Sequence, residues 1–314
     1  MRLKIKLIIS FIITILLACT EENQSTTMED YINEIPLVDF VNPLMGTDST
    51  FELSNGNTYP AIAIPWGMNF WTPMTSKMGD GWTYKYDENK IRGIKQTHQP
   101  SPWLNDYAAF SLMAVTGDLK YEEEKRASWF SHKAETVKPY HYKTYLADYD
   151  TSIEVAPTER AAQFKFTFPD SEKSFILLDA FNKGSLVKII PEERKIIGYS
   201  RNNHGGVPEN FHNYFVAQFD KDFELNHTWG DGWKLFENST TREGDHVGAI
   251  IGFKTQKGET VQVKIASSFI SPEQAQLNLD REIGTNNFEQ TQQKAKLAWE
   301  NELSRIKIFD ENLE

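Results

Sequence analysis

The residues best suited to chemistry gather between positions 38 and 117. Four of the eight tryptophans, Trp66, Trp71, Trp82 and Trp103, lie there among Gly, Pro, Asn and Asp rather than among aliphatic residues. The runs Val41–Thr47, Gly56–Pro60 (with Asn57) and Pro65–Met68 are rich in turn formers, and each could present an aromatic or amide side chain from a loop, where sites commonly sit. Gly81-Trp82-Thr83-Tyr84 follows, then Thr97-His98-Gln99-Pro100-Ser101-Pro102-Trp103-Leu104-Asn105-Asp106-Tyr107, in which two prolines stiffen the chain around Ser101. An indole face suits the apolar C–H face of a pyranose, and Asn, Asp, His and Gln suit its rim hydroxyls. The same composition also describes tryptophans filling the gap between two sheets while Asn, Asp and Gly form turns. The residues alone leave both readings open. His98 fits a loop-fixing hydrogen-bonding residue better than a metal ligand or a base, because no second His or carboxylate stands nearby at a metal-binding spacing. Glu122-Glu123-Glu124 reads as a solvated charge run.

The elements that must position these side chains are mainly strands. From about Ser152 to Ile270 apolar and polar residues alternate, most clearly in Ala162-Gln163-Phe164-Lys165-Phe166-Thr167-Phe168, where Ala162, Phe164, Phe166 and Phe168 share one face. Similar runs occur at 175–178, 195–199, 214–219, 247–253 and 260–266, separated by turn residues. Many strands without intervening helical periods predict a mainly β fold, a large antiparallel β-sandwich. At Ser271-Pro272-Glu273-Gln274 a cap residue, a first-turn proline and a Gln announce a helix. A second is expected after Gly284, with Phe288, Ala295, Trp299 and Leu303 on one side. This pair is too short to be a domain. It reads as a connector whose apolar stripe is left uncovered, which predicts modest solubility, relieved by Trp299→Ser.

The 314 residues are 39% hydrophobic and 13% aromatic, which rules out disorder for most of the chain. A formal charge of -11 disfavours nucleic acid as a partner and leaves neutral or cationic ligands. The one cysteine, Cys19, excludes an internal disulfide and a multi-cysteine zinc site. Arg2, Lys4 and Lys6 precede the apolar stretch Leu7–Ala18, which has the form of a secretory signal and is too short for a hydrocarbon core of roughly 30 Å. Leu16-Leu17-Ala18-Cys19 resembles a bacterial lipoprotein box, making Cys19 a lipid anchor; a plain signal peptide with an incidental Cys is the alternative. The expected organisation is a signal over 1–18, a polar tether over 19–36, the sandwich over 37–270 and a helical linker over 271–314.

Several of these segments together resemble a known family. Asn42-Pro43-Leu44-Met45-Gly46-Thr47, Gly56-Asn57-Thr58-Tyr59-Pro60, Pro65-Trp66-Gly67-Met68, Ile91-Arg92-Gly93-Ile94, Thr97–Trp103 and Asp106-Tyr107 are similar to the N-terminal domain of glycoside hydrolase family 92, exo-acting α-mannosidases. The resemblance runs from about residue 38 to 308. It implies a supersandwich of the galactose-mutarotase type, a helical linker and an (α/α)6 catalytic barrel that this chain would lack. It implies inverting chemistry with an acid and a base about 6.5 to 9.5 Å apart, both from the barrel, so no residue here is named catalytic. It implies calcium, with ligands mainly outside this chain. The partners it implies are mannose-containing glycans and the missing barrel, with contact to the bacterial outer membrane, on its periplasmic or cell-surface side, only through the anchor. Trp103 would be the stacking platform, with His98, Asp106 and Asn57 as polar contacts and Trp66 and Trp82 as further candidates. A surface glycan-binding lipoprotein without catalysis is the rival. Two positions depart from the family pattern: Trp66, where Phe is common, and Ala108, where a Gly-permitted backbone turn is usual.

Overall fold

Alternation along Ala161–Thr167 puts Phe164 and Phe166 on the same side, stacked with ring centroids 5.9 Å apart, and both are fully buried. Their neighbours across the gap come from another sheet. Trp71, from the short strand Phe70–Pro73, packs edge-on against Phe164 at 5.2 Å and Phe110 at 5.9 Å, and Phe110 in turn meets Phe215 at 4.9 Å. These contacts join the inner faces of two antiparallel sheets in a computed structural model that describes residues 35–48, 58–98 and 106–306.

Among the described residues one sheet has seven strands, in the order Phe70–Pro73, Ile94–Thr97, Phe110–Thr116, Ser171–Asp179, Gly248–Thr255, Leu225–Gly230 and Lys234–Glu237. A second has nine, in the order Thr241–Gly244, Ser185–Ile190, Lys195–Ser200, Asn213–Phe219, Thr260–Ser268, Ala161–Thr167, Thr151–Pro157, His141–Leu146 and Thr136–Lys138, and Lys90–Ile91 pairs with Ser128–Trp129 in a small third sheet. All pairings are antiparallel, as the alternating pattern requires. The expected sandwich is therefore the observed one. The fully buried strand tryptophan at position 71 fits, for that residue, the reading in which tryptophans fill the gap between two sheets.

Two helices follow the last strand. Helix α1 (Pro272–Glu282) starts where Ser271 Oγ accepts from the Gln274 amide at 3.1 Å, with Pro272 in the first turn. It lays Ala275, Leu279 and neighbouring Ile283 on Ala161, Val216 and Ala266, the outer face of the nine-stranded sheet. Helix α2 (Phe288–Leu303) opens with a reciprocal cap between Asn287 and Gln290. Its Ala295, Trp299 and Leu303 pack with Val38, Tyr140 and Ile64, and Trp299 Nε1 donates to the Ala63 carbonyl at 2.6 Å. The stripe expected to lie uncovered is therefore covered by this domain's own sheet and N-terminal segment. That segment, a 3-10 turn at Leu37–Phe40, is fixed in return. Both carboxylate oxygens of Glu300 accept amides, from Leu37 and Val38, at 3.1 Å each, while Lys296 pairs with Asp39 at 2.7 Å.

The acidic run at 122–124 is also more specific than a solvated face. Glu122 pairs with Lys125 and Glu124 with Lys77, but Glu123 is partly buried and accepts from the Met78 amide. The same helical turn ends at Arg126, whose buried guanidinium donates to the carbonyls of Arg92 and Tyr121 and to Asp179.

Candidate functional site

The strand Ile94–Thr97 carries a single apolar residue, yet all four of its residues are buried. Alternation sends Lys95 and Thr97 to one side and Gln96 and His98 to the other. On the first side Lys95 Nζ stands 3.1 Å from Asp106 Oδ2 and donates to Thr83 Oγ1 at 3.1 Å. Asp106 Oδ1 accepts the backbone amides of His98 and Tyr107 at 3.0 and 2.8 Å. Burial alone would raise the Asp106 carboxyl, but Lys95 and His98 outweigh it and hold the group below the usual carboxylate range.

On the second side an amide network fixes the imidazole. His98 Nδ1 lies 2.9 Å from the Tyr107 carbonyl, which can only accept, so this nitrogen carries the proton. His98 Nε2 then accepts from Gln96 Nε2 at 2.6 Å. Gln96 Nε2 also donates to Asn69 Oδ1 at 3.0 Å, and Asn213 Nδ2 donates to Gln96 Oε1 and to the Ala108 carbonyl, both at 3.0 Å. Asn69 donates onward to the Arg160 carbonyl and Ser267 Oγ, which ties the site to the nine-stranded sheet. Burial, reinforced by Lys95, lowers the His98 pKa against the pull of Asp106, so the ring is a neutral, oriented hydrogen-bonding group.

His98 and Asp106 are thus brought together directly. Thr83, the acceptor of Lys95, belongs to the same site, while the neighbouring Trp82 is half-buried with its amide donating to Asp80. Trp66 stands apart, 90% exposed on a left-handed turn (φ 63°), at the rim of an apolar groove of about 470 Å³ with Pro43, Met45, Tyr59, Phe70 and Trp299. Trp103, Asn57 and Cys19 lie outside the described residues. The turn at Ala108 is left-handed, φ 58°, the conformation for which the family pattern uses Gly.

Asn69, Gln96 and Asn213 were not singled out in the sequence, nor were two rings beside the imidazole, Phe269 at 5.1 Å from His98 and Phe211 stacked on Phe269 at 5.6 Å. A signal existed for Phe211. It ends the run Asn202-Asn203-His204-Gly205-Gly206-Val207-Pro208-Glu209-Asn210, which has the same amide, glycine and aromatic composition as the 38–117 region.

Two of the described acids, Asp106 and Asp179, are poorly suited to donate a proton. Asp106 and Asp179 are each neutralised by a cation and held ionised, the opposite of what a proton donor needs. Burial does raise Glu123 and Asp220, but Glu123 accepts from the Met78 amide and Asp220 from that of Gln262. Nor do the described residues fit the calcium that the resemblance implies. Among them no three His, Cys, Asp or Glu side chains cluster so as to hold an ion.

Comparison with known proteins converges on one family. The profile of the glycosyl hydrolase family 92 N-terminal domain matches residues 40–268. The fold is similar to the family GH92 inverting mannosidase BT2199 from Bacteroides thetaiotaomicron, with a TM-score of 0.86 and 42% identity over 90% of this chain. It is also similar to the α-mannosidase BT3965 of the same organism, solved in complex with mannoimidazole, with a TM-score of 0.77 and 31% identity over 88% of this chain. A third family GH92 hydrolase, ccman5, shares the fold at 20% identity and a TM-score of 0.73. The chain spans 38% of the length of each of these three proteins. No curated protein matches the sequence. On the family profile and the BT2199 match together, the chain belongs to glycosyl hydrolase family 92 and carries that family's N-terminal domain.

Proposed function

We propose that this chain is the glycan-gripping half of an exo-acting α-mannosidase, contributing one wall of a mannose pocket whose acid and base belong to a separate (α/α)6 domain. The observation that carries this reading is the His98 network. A neutral imidazole, oriented by Tyr107 and Gln96 at the end of a buried strand, stands in a fold 42% identical to an inverting mannosidase. Both ring nitrogens are engaged within the protein, so the imidazole serves this reading by fixing His98 to Tyr107 and Gln96 rather than by meeting a sugar hydroxyl itself. Trp103 is the stacking platform in this reading, Asn57 a polar contact, and Trp82 a further ring beside them. Asp106 acts by holding His98 and Tyr107 in place. Trp66 and its groove face the catalytic domain. Calcium enters only in the whole enzyme, through ligands outside the described residues, and inversion is the stereochemical outcome there.

Fusing the chain to the catalytic part of a family 92 mannosidase tests the proposal. Hydrolysis of an α-mannoside by the fusion, its loss in Trp103→Ala, and no hydrolysis by the chain alone are the expected results. Turnover by the chain alone, or an inactive fusion in which the catalytic part is folded, overturns it. A surface glycan-binding lipoprotein without catalysis is the alternative. It is favoured by the exposed ring of Phe269 beside His98, and predicts specific binding of mannose oligosaccharides by residues 20–314 alone. We propose also that Cys19 is lipidated and tethers the domain to the outer membrane; Cys19→Ser should then move the protein to the soluble fraction.

A further inference from the structure

The turn between the strands Ser171–Asp179 and Ser185–Ile190 is strained. Phe181 and Lys183 hold left-handed backbone, φ 61° and 71°, and Phe181 does so with its ring fully buried. A bulky residue keeps that conformation only where its surroundings fix it. Here both sides of the turn are clasped. The residues flanking His246 hold one side: the Ala180 amide donates to the Val247 carbonyl at 3.1 Å, and the Lys183 and Gly184 amides donate to the Asp245 carboxylate and carbonyl at 3.2 and 3.0 Å. On the other side the Asn202 side chain donates to Asn182 Oδ1 at 2.7 Å, while the Asn202 carbonyl takes the Ala108 amide. The Phe181 ring packs with Ala109 and lies 6.0 Å from Lys95 Nζ.

Two buried charge networks meet across this turn. In the first, Asp179 Oδ1 accepts from His246 Nε2 at 2.7 Å and from the Phe181 amide at 3.1 Å, and Oδ2 accepts from Arg126 at 2.8 Å. The charged groups facing the imidazole are Asp179 and, from the helical turn at 123–126, Arg126 and Glu123, with Asp231 taking the His246 amide at 2.8 Å. Trp233 closes the ring edge-on at 4.7 Å, which leaves the side chain 13% exposed. The second network is Lys95 and Asp106 with the amides of His98 and Tyr107.

We propose that the turn couples the two networks, so that the charge on His246 sets how tightly the Lys95–Asp106–His98 site is held, firm on the acid side of the His246 titration and loosened on the alkaline side. With the imidazolium present, Asp179 bridges two cations and pins the Phe181 amide against its backbone strain. Once the ring is neutral the carboxylate keeps Arg126 alone as a cation. Relaxation at Phe181 then reaches Lys95 and Ala109 through its ring, and Ala108 through Asn182 and Asn202. Burial lowers the His246 pKa but Asp179 more than restores it, whereas burial leaves that of His98 lowered, so the two rings titrate in separate steps. The coupling is independent of which ligand the site takes, and its failure would leave the mannoside reading untouched.

NMR titration of the full chain tests it, following the His246 ring and the backbone amides of His98 and Tyr107. Both amides should shift in a step that shares the His246 midpoint, and that step should vanish in His246→Gln. Phe181→Leu with Asn202→Ala removes the ring contact and the side-chain brace while keeping every charge. It should abolish most of the step while the His246 ring still titrates. An unshifted Trp299 indole N–H shows that each variant is folded. Amides that ignore the His246 midpoint in the wild-type chain overturn the inference with no variant needed. A step of full size in the double variant overturns it too, since the charge would then act directly through space.

Discussion

Lys95 and Asp106 form an ion pair at 3.1 Å with both side chains buried, and the aspartate simultaneously holds the amides on either side of the 99–105 segment. A buried charge stripped of its partner is costlier than the pair itself. Lys95→Met should therefore destabilise the domain by about 3–5 kcal/mol in denaturant unfolding, and the double change Lys95→Met with Asp106→Leu should recover part of that loss. Equal stability of Lys95→Met and wild type would show that the pair is not desolvated in solution.

Ala108 sits at φ 58° with its methyl group fully buried. The left-handed backbone costs a non-glycine residue roughly 1 kcal/mol, and the buried methyl returns about 0.8 kcal/mol. These nearly cancel, so Ala108→Gly should shift stability by less than about 1 kcal/mol, whereas Ala108→Val should lose more because a β-branched residue resists this conformation. Thermal melting of the two variants checks the order.

Trp299 is covered by Val38, Tyr140 and Ile64 and donates to the Ala63 carbonyl. Trp299→Ser should accordingly cost about 2–3 kcal/mol, less than a fully buried tryptophan, and leave the carbonyl unpaired. Sedimentation of the variant should show no gain in monodispersity. A more monodisperse variant of unchanged stability would restore the idea of an open stripe.

Two partly buried histidines, His246 and His98, should respond to pH in opposite senses. Burial tends to lower the His246 pKa, but Asp179 at 2.7 Å overcomes it and raises the value above 6.5. Its stabilising contribution is complete below the unfolded value and is lost as pH rises through the folded one. His98 is lowered, so the folded state resists its protonation and stability falls as pH drops below 6.5. NMR titration of the ring protons should place His246 above and His98 below the free-histidine value. His246→Gln should flatten the alkaline side of the stability profile and leave the acid side intact.

The sheets were legible where burial is one-sided and apolar. Phe164 and Phe166 alternate with polar residues, and the α1 cap is spelled out in Ser271-Pro272. Strands nearer the site were not. Ile94-Lys95-Gln96-Thr97 looks like a polar loop because its polar side chains are buried against one another, Lys95 on Asp106 and Gln96 on Asn69 and Asn213. Hydropathy records only the transfer cost of such groups, and the partners that offset it are distant in sequence. Phe110–Thr116 is apolar on both faces, which erases its period. The site residues Trp66 and His98 share the same kind of local sequence, and only the pairing of strands shows that one edges a groove at α2 while the other sits in an amide network.

The double grip of Glu300 on the Leu37 and Val38 amides brings the first and last described elements of the domain within two helical turns of each other. A pull arriving through residue 36 is shared between α2 and the edge of the nine-stranded sheet, where Lys138 Nζ and the Tyr140 hydroxyl both donate to Asp39. The leading end is thus moored at two points, and both must give before it peels away.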